Sequence, residues 1–180
     1  MNAIKQRIKK SSKIMVIITL VLCISLIVGL CVPVTFLIWH AIAPNADLSS
    51  LNGISFYSSA GQLMTTTNEL VAEMYTILVS GVLILFVLFL ALRIFQSISK
   101  DVIPFSQDNA KRLKEIAIVL VVYAIVQPIA RACFYSIFNP EMVIRSSFNV
   151  VSIILAFIFF FISVLFAYGA ELQRLSDETL

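Results

Sequence analysis

Charge is what this sequence has least of. Asp, Glu, Lys and Arg make up 13% of its 180 residues, where a soluble domain carries about a quarter. Apolar side chains make up 60%, and a water-soluble fold would have too few polar groups to cover them. An ordinary soluble domain is excluded, and lipid has to act as part of the solvent. Histidine occurs once and cysteine three times, with Cys23, Cys31 and Cys133 all inside apolar runs. A His/Cys metal cluster is therefore not expected. Cys23 and Cys31, eight apart on one helix, stand about 12 Å from each other, too far for a disulfide. Gly-rich phosphate loops, nucleophile elbows and paired intramembrane aspartates are all missing. No catalytic residue, cofactor or metal is expected, and the chain reads as a non-enzyme.

What the sequence does have is long apolar runs, with a mean hydropathy of +1.00. Four of them are long enough to cross a hydrocarbon core of about 30 Å, at residues 14–38, 70–92, 116–138 and 148–168. Ala41-Ile42-Ala43 after the first run resembles a signal-peptidase site, and cleavage there would leave three spans. The run is much longer than the apolar part of a signal peptide, about 7–15 residues, and Pro44 would follow the cut, so it is read as a retained anchor. Trp39 and His40 fall where an interfacial belt belongs. The lone histidine reads as a solvated interfacial residue before it reads as a proton sensor. Residues 44–68 are polar and contain no Lys or Arg; Asn52-Gly53 signals a turn and a short hairpin near Ile54 to Tyr57. Thr66 with Glu69 forms a capping box in front of the second run.

The net charge of +3 and a pI near 8.8 do not point to nucleic acid, because the basic residues lie beside the apolar runs. They serve as topology signals. Lys5, Arg7, Lys9, Lys10 and Lys13 precede the first run, Arg93, Lys100, Lys111, Arg112 and Lys114 lie between the second and third, and Arg174 follows the fourth. Only Arg131 and Arg145 belong to the other side, so the positive-inside rule places both termini in the cytoplasm. The expected fold is an all-α, multi-pass protein of the bacterial cytoplasmic membrane. One integral membrane domain, residues 1–180, forms four transmembrane helices in an antiparallel bundle with a small polar extracytoplasmic loop. The basic residues of the N-terminal segment could also attract anionic lipid. Homo-oligomerisation is left open.

Arg131 is the most informative residue, since a charged guanidinium at the centre of a span costs about 2.5–3.5 kcal/mol on insertion scales. It stands 15 residues after Ile116, about 22 Å along the helix, where its head can snorkel outward. Glu73 enters the second run from the same side and is the expected counter-ion, with Gln127 one turn before Arg131. One reading is a polar ligand site of Glu73, Gln127 and Arg131, which would suit a small transporter or efflux component. The other is a structural ion pair fixing how two helices meet. Pro33 and Pro128 each remove a helix hydrogen bond and can kink their spans, although membrane helices also tolerate proline for packing alone.

The stretches Arg93-Ile94-Phe95, Ile103-Pro104-Phe105-Ser106 with Asn109 and Leu113, and Phe166-x-x-Gly169-x-x-Leu172 ending in Asp177-Glu178-Thr179-Leu180 resemble a bacterial membrane family catalogued as domain of unknown function 2975. By the spacing of its apolar runs the resemblance extends over essentially the whole chain. It implies four spans, no assigned biochemical activity, and frequent encoding beside a small helix-turn-helix regulator, which becomes the candidate partner. It also directs attention to the cytoplasmic face. Phe105, Asn109, Gly169, Asp177 and Glu178 are candidates for a docking or packing motif, with the two acids against Lys111, Arg112 or the partner. Envelope sensing or regulation through the loop and tail is the leading expectation.

Overall fold

The computed structural model describes residues 2–44, 57, 61, 64, 66–101, 105–138 and 149–178. They form four helices, α1 (Asn2–Ile42), α2 (Thr67–Asp101), α3 (Gln107–Phe138) and α4 (Val150–Glu178). Each is long and apolar enough to cross a membrane. Of the hairpin expected near Asn52-Gly53, only Tyr57 is among the described residues, exposed and in an isolated β-bridge. Arg145 and Phe148, the expected start of the fourth span, also lie outside them.

Helix starts follow local chemistry. The backbone N–H of Glu69 donates to Thr66 Oγ1 at 3.3 Å, that of Asn109 to Ser106 Oγ at 3.2 Å, and that of Ser152 to Asn149 Oδ1 at 3.1 Å. Each N-cap satisfies a backbone donor that the helix leaves without an internal partner. The helices continue well past the apolar runs at one end. Arg93 and Lys100 lie on α2, and Lys111, Arg112 and Lys114 on α3, so the basic residues between the runs lie on helices. No proline or glycine interrupts residues 93–101, and water at a membrane border solvates the polar side chains without unwinding the backbone. Pro33 and Pro128 lie within continuous helices.

Neighbouring helices run antiparallel. Ser12 near the start of α1 donates to the carbonyl of Phe95 late in α2 (2.6 Å), while Phe36 and Leu37 pack against Leu70 and Met74 at the start of α2. At the basic end, where α1 and α3 begin and α2 and α4 finish, Leu90 and Ile94 of α2 meet Leu113 and Ile116 of α3. Phe159, Ile162 and Phe166 of α4 close over that cluster. Backbones approach in sequence order only, α1 on α2, α2 on α3 and α3 on α4, and among the described residues α1 and α4 do not come together. The row stays open because lipid solvates an outward apolar face as well as another helix would. Association in a bilayer rests on close packing and hydrogen bonds. Gly81 accordingly lets Leu30 of α1 lie directly on α2.

The fourth helix is shifted toward the basic end. Asn149 and Ser152 share a cavity of about 380 Å³ with Leu83 and Val87 of α2 and Leu120 and Tyr123 of α3. Because Tyr123 is fifteen residues short of Phe138, α4 begins roughly 22 Å below the far end of α3. At its other end Gly169 meets Phe105, which precedes α3. The last nine residues, about 14 Å of helix, extend beyond that contact.

Candidate functional site

Two constructions sit on α3, one at each end, the first against α2 and the second chiefly against α4. At the far end, α2 starts at its Thr66 cap and brings Glu69 and Glu73 onto one face a turn apart; both are buried, Glu73 to 1% exposure. Arg131 of α3, 9% exposed, places its guanidinium 3.6 Å from Glu73 Oε2. Tyr135, one turn further along α3, donates its hydroxyl to the same oxygen at 3.1 Å, and the guanidinium lies 5.4 Å from the Tyr135 ring centroid. Glu73 therefore receives a cation and a neutral donor together, while the ring face gives Arg131 a second favourable contact. Thr76, buried beside this cluster on α2, satisfies its hydroxyl on the carbonyl of Ala72 at 2.9 Å. Outside the cluster Tyr75 stacks on Phe134 and Phe138, with centroids 5.2 and 5.6 Å away. Tyr75 is partly exposed, and Phe134 and Phe138 are half-buried.

Glu73 and Arg131 thus come together as expected, and Gln127 is half-buried one turn before Arg131. Tyr135 was missed. Its signal was its place four residues after Arg131, on the same helix face. Glu69 was read only as part of a capping box, yet it is as buried as the core around it. His40 is half-buried rather than solvated, and its Nδ1 is enclosed without a hydrogen-bond partner among the described residues.

The basic end is held by neutral contacts and one arginine. A Cβ added to Gly169 would fall 2.8–2.9 Å from ring atoms of Phe105, so glycine is what allows α4 to come this close. Phe105 also packs on Phe166, with centroids 5.1 Å apart. Ser163 Oγ of α4 donates to the carbonyl of Ala110 at 3.0 Å. Asn109 is fully buried, and Arg112 Nη1 donates to its Oδ1 at 3.4 Å and to the carbonyl of Arg93 at 3.2 Å. Of the candidate docking residues, Phe105 and Gly169 meet each other while Phe105 stays partly exposed, and Asn109 is buried separately beside Arg112. Glu178 pairs with Arg174 on its own helix (3.5 Å), as does Glu171 (3.0 Å), so Glu178 does not reach back to Arg112. The side chain of Asp177 lies outside the described residues. Among the described large apolar side chains past Gly169, Leu172 and Leu175 are each about half accessible.

Four antiparallel apolar helices, with charge buried at one end and a packed knot at the other, define a multi-pass α-helical membrane protein. Residues 55–180 match the family described as Protein of unknown function (DUF2975), and the chain belongs to that family. The match starts after α1, so it is narrower than the whole-chain resemblance suggested and leaves the first helix outside it. No curated protein and no solved structure matches the chain.

Proposed function

We propose that the protein is a non-enzymatic regulator of the bacterial cytoplasmic membrane, with its basic end and both termini in the cytoplasm. In this reading it signals the state of the envelope through the end of α4 and the α2–α3 connection. The observation that carries it is the continuation of α4 for about 14 Å beyond Gly169, where it meets Phe105, with Leu172 and Leu175 about half exposed on that stretch. Two apolar side chains on a stretch bearing Glu171, Arg174 and Glu178 have a use if another protein covers them. A small helix-turn-helix regulator is the partner of choice. The packing supplies a route for the signal. Separation of Glu73 from Arg131 would let α3 move on α2, and α3 carries α4 with it through Ala110–Ser163 and Phe105–Gly169.

The test is in-cell photocrosslinking from Leu172 and Leu175, with lipid-facing Ile158 as control, followed by identification of the adduct. A protein captured from the two tail positions and not from Ile158, together with altered transcription in Leu172→Gln/Leu175→Gln cells, supports the reading. Equal labelling at all three positions with unchanged transcription removes it. The alternative, a small transporter or efflux component using a pocket near Arg131 and Glu73, draws on the buried charge itself. It needs a pair that is closed on itself to open, and predicts that Arg131→Gln changes solute uptake or resistance.

A further inference from the structure

The groove between α1 and α2 at the basic end is lined by Lys13, Val16 and Ile17 from one helix and Gln96, Ser99 and Lys100 from the other, around a volume of about 390 Å³. Each set has the spacing i, i+3, i+4, which puts three side chains on one helix face. The register between the helices is set beside the groove by the 2.6 Å bond from Ser12 Oγ to the carbonyl of Phe95. Because the helices are antiparallel, that register orders the lining by depth. Lys100 and Ser99 are outermost, Gln96 and Lys13 follow, and Val16 and Ile17 lie toward the hydrocarbon, over about 15 Å in all. No carboxylate is among the lining residues.

We infer that this groove is a binding site for one anionic phospholipid from the leaflet at the basic end. Two ammonium groups from different helices, with an amide and a hydroxyl between them, match the phosphodiester of such a headgroup. The deeper Val16 and Ile17 match the start of its acyl chains. Polar-to-apolar order along the groove is the order of the lipid itself, which a free phosphate would not require. Lysines placed only to orient a span need number and not convergence. Here Lys13 and Lys100, 87 residues apart in sequence, open onto one groove. Basic residues near a membrane surface each attract anionic lipid by about 1 kcal/mol, so loss of two at one site weakens retention by about 30-fold.

The full-length protein is released from nanodiscs containing equal phosphatidylglycerol and phosphatidylcholine, and retained lipids are counted by native mass spectrometry. One phosphatidylglycerol is retained in preference to phosphatidylcholine. Lys13→Gln/Lys100→Gln loses it about 30-fold, while Lys13→Arg/Lys100→Arg keeps it within about threefold. Lys111→Gln/Lys114→Gln removes the same two charges from the same end, outside the groove, and changes retention by less than about threefold. Equal losses in the two glutamine pairs would mean diffuse surface attraction and overturn the site. So would displacement of the lipid by millimolar glycerol 3-phosphate, which would make a soluble phosphate the ligand. Helical circular dichroism of each variant confirms that the comparison is between folded proteins.

Discussion

The two ends of α3 achieve the same result, a fixed contact with a neighbouring helix, α2 at one end and chiefly α4 at the other, by opposite means. At the far end a carboxylate and a guanidinium are buried together and tied by a tyrosine hydroxyl. At the basic end a glycine, a phenylalanine ring and a serine hydroxyl let helices approach closely, and the one arginine involved reaches uncharged oxygen atoms. The first construction is stable only while complete, because each charge is costly without the other. The second is built from contacts whose loss leaves nothing worse than a gap or a neutral group. A charge-based lock is therefore suited to being switched, and a packed knot to transmitting movement.

The comparison breaks most visibly at Arg131. Arg131→Leu leaves Glu73 buried with only its remaining polar contacts, and destabilises the protein by about 3–5 kcal/mol. Replacing both, Glu73→Leu/Arg131→Leu, returns stability to within about 1 kcal/mol of the parent, since an apolar pair of similar bulk needs no desolvation. Denaturant unfolding in bicelles measures both, and a double variant as unstable as the single one would show that the two charges are not coupled. At the opposite end the largest effect comes from adding atoms. Gly169→Val drives a side chain into the Phe105 ring and costs about 1–3 kcal/mol through overpacking. Phe105→Ala in the same chain recovers part of that loss by making room. Failure of that rescue would mean that Gly169 is needed for its backbone and not for the approach of α4.

This contrast also sorts what could be read from the sequence. Spans, the cap at Thr66, and the Glu73–Arg131 pair were legible because each is written locally. Hydropathy counts residues in a row, a cap sits three residues before its donor, and a charge inside an apolar run demands a partner from a short list. The knot was half legible. Phe105, Asn109 and Gly169 stood out as distinctive, but whether they face a neighbour helix or a partner protein depends on how far α4 slides along α3. Apolar runs constrain that offset weakly, because a helix shifted by two turns still presents hydrocarbon to lipid. The same insensitivity hid the open order of the helices, since lipid makes no demand for closure.

The smallest expected effects compare one hydrogen bond at each end. Tyr135→Phe removes the hydroxyl that donates to Glu73 and keeps the ring against Arg131. Ser163→Ala removes the hydroxyl that donates to the Ala110 carbonyl. Interhelical hydrogen bonds in membranes average about 0.6 kcal/mol and reach about 1.7. The bond to a carboxylate belongs at the upper end of that range, because a charged acceptor strengthens it. The bond to a carbonyl already held in its own helix belongs at the lower end. Tyr135→Phe is thus expected to cost about 1.5 kcal/mol and Ser163→Ala about 0.5, read as shifts in unfolding midpoint in the same bicelles. In the Glu73→Leu/Arg131→Leu background the tyrosine has lost its acceptor, so Tyr135→Phe becomes neutral or slightly stabilising while Ser163→Ala keeps its full cost. Equal effects of the two substitutions in both backgrounds would erase the distinction between a charged lock and a neutral knot.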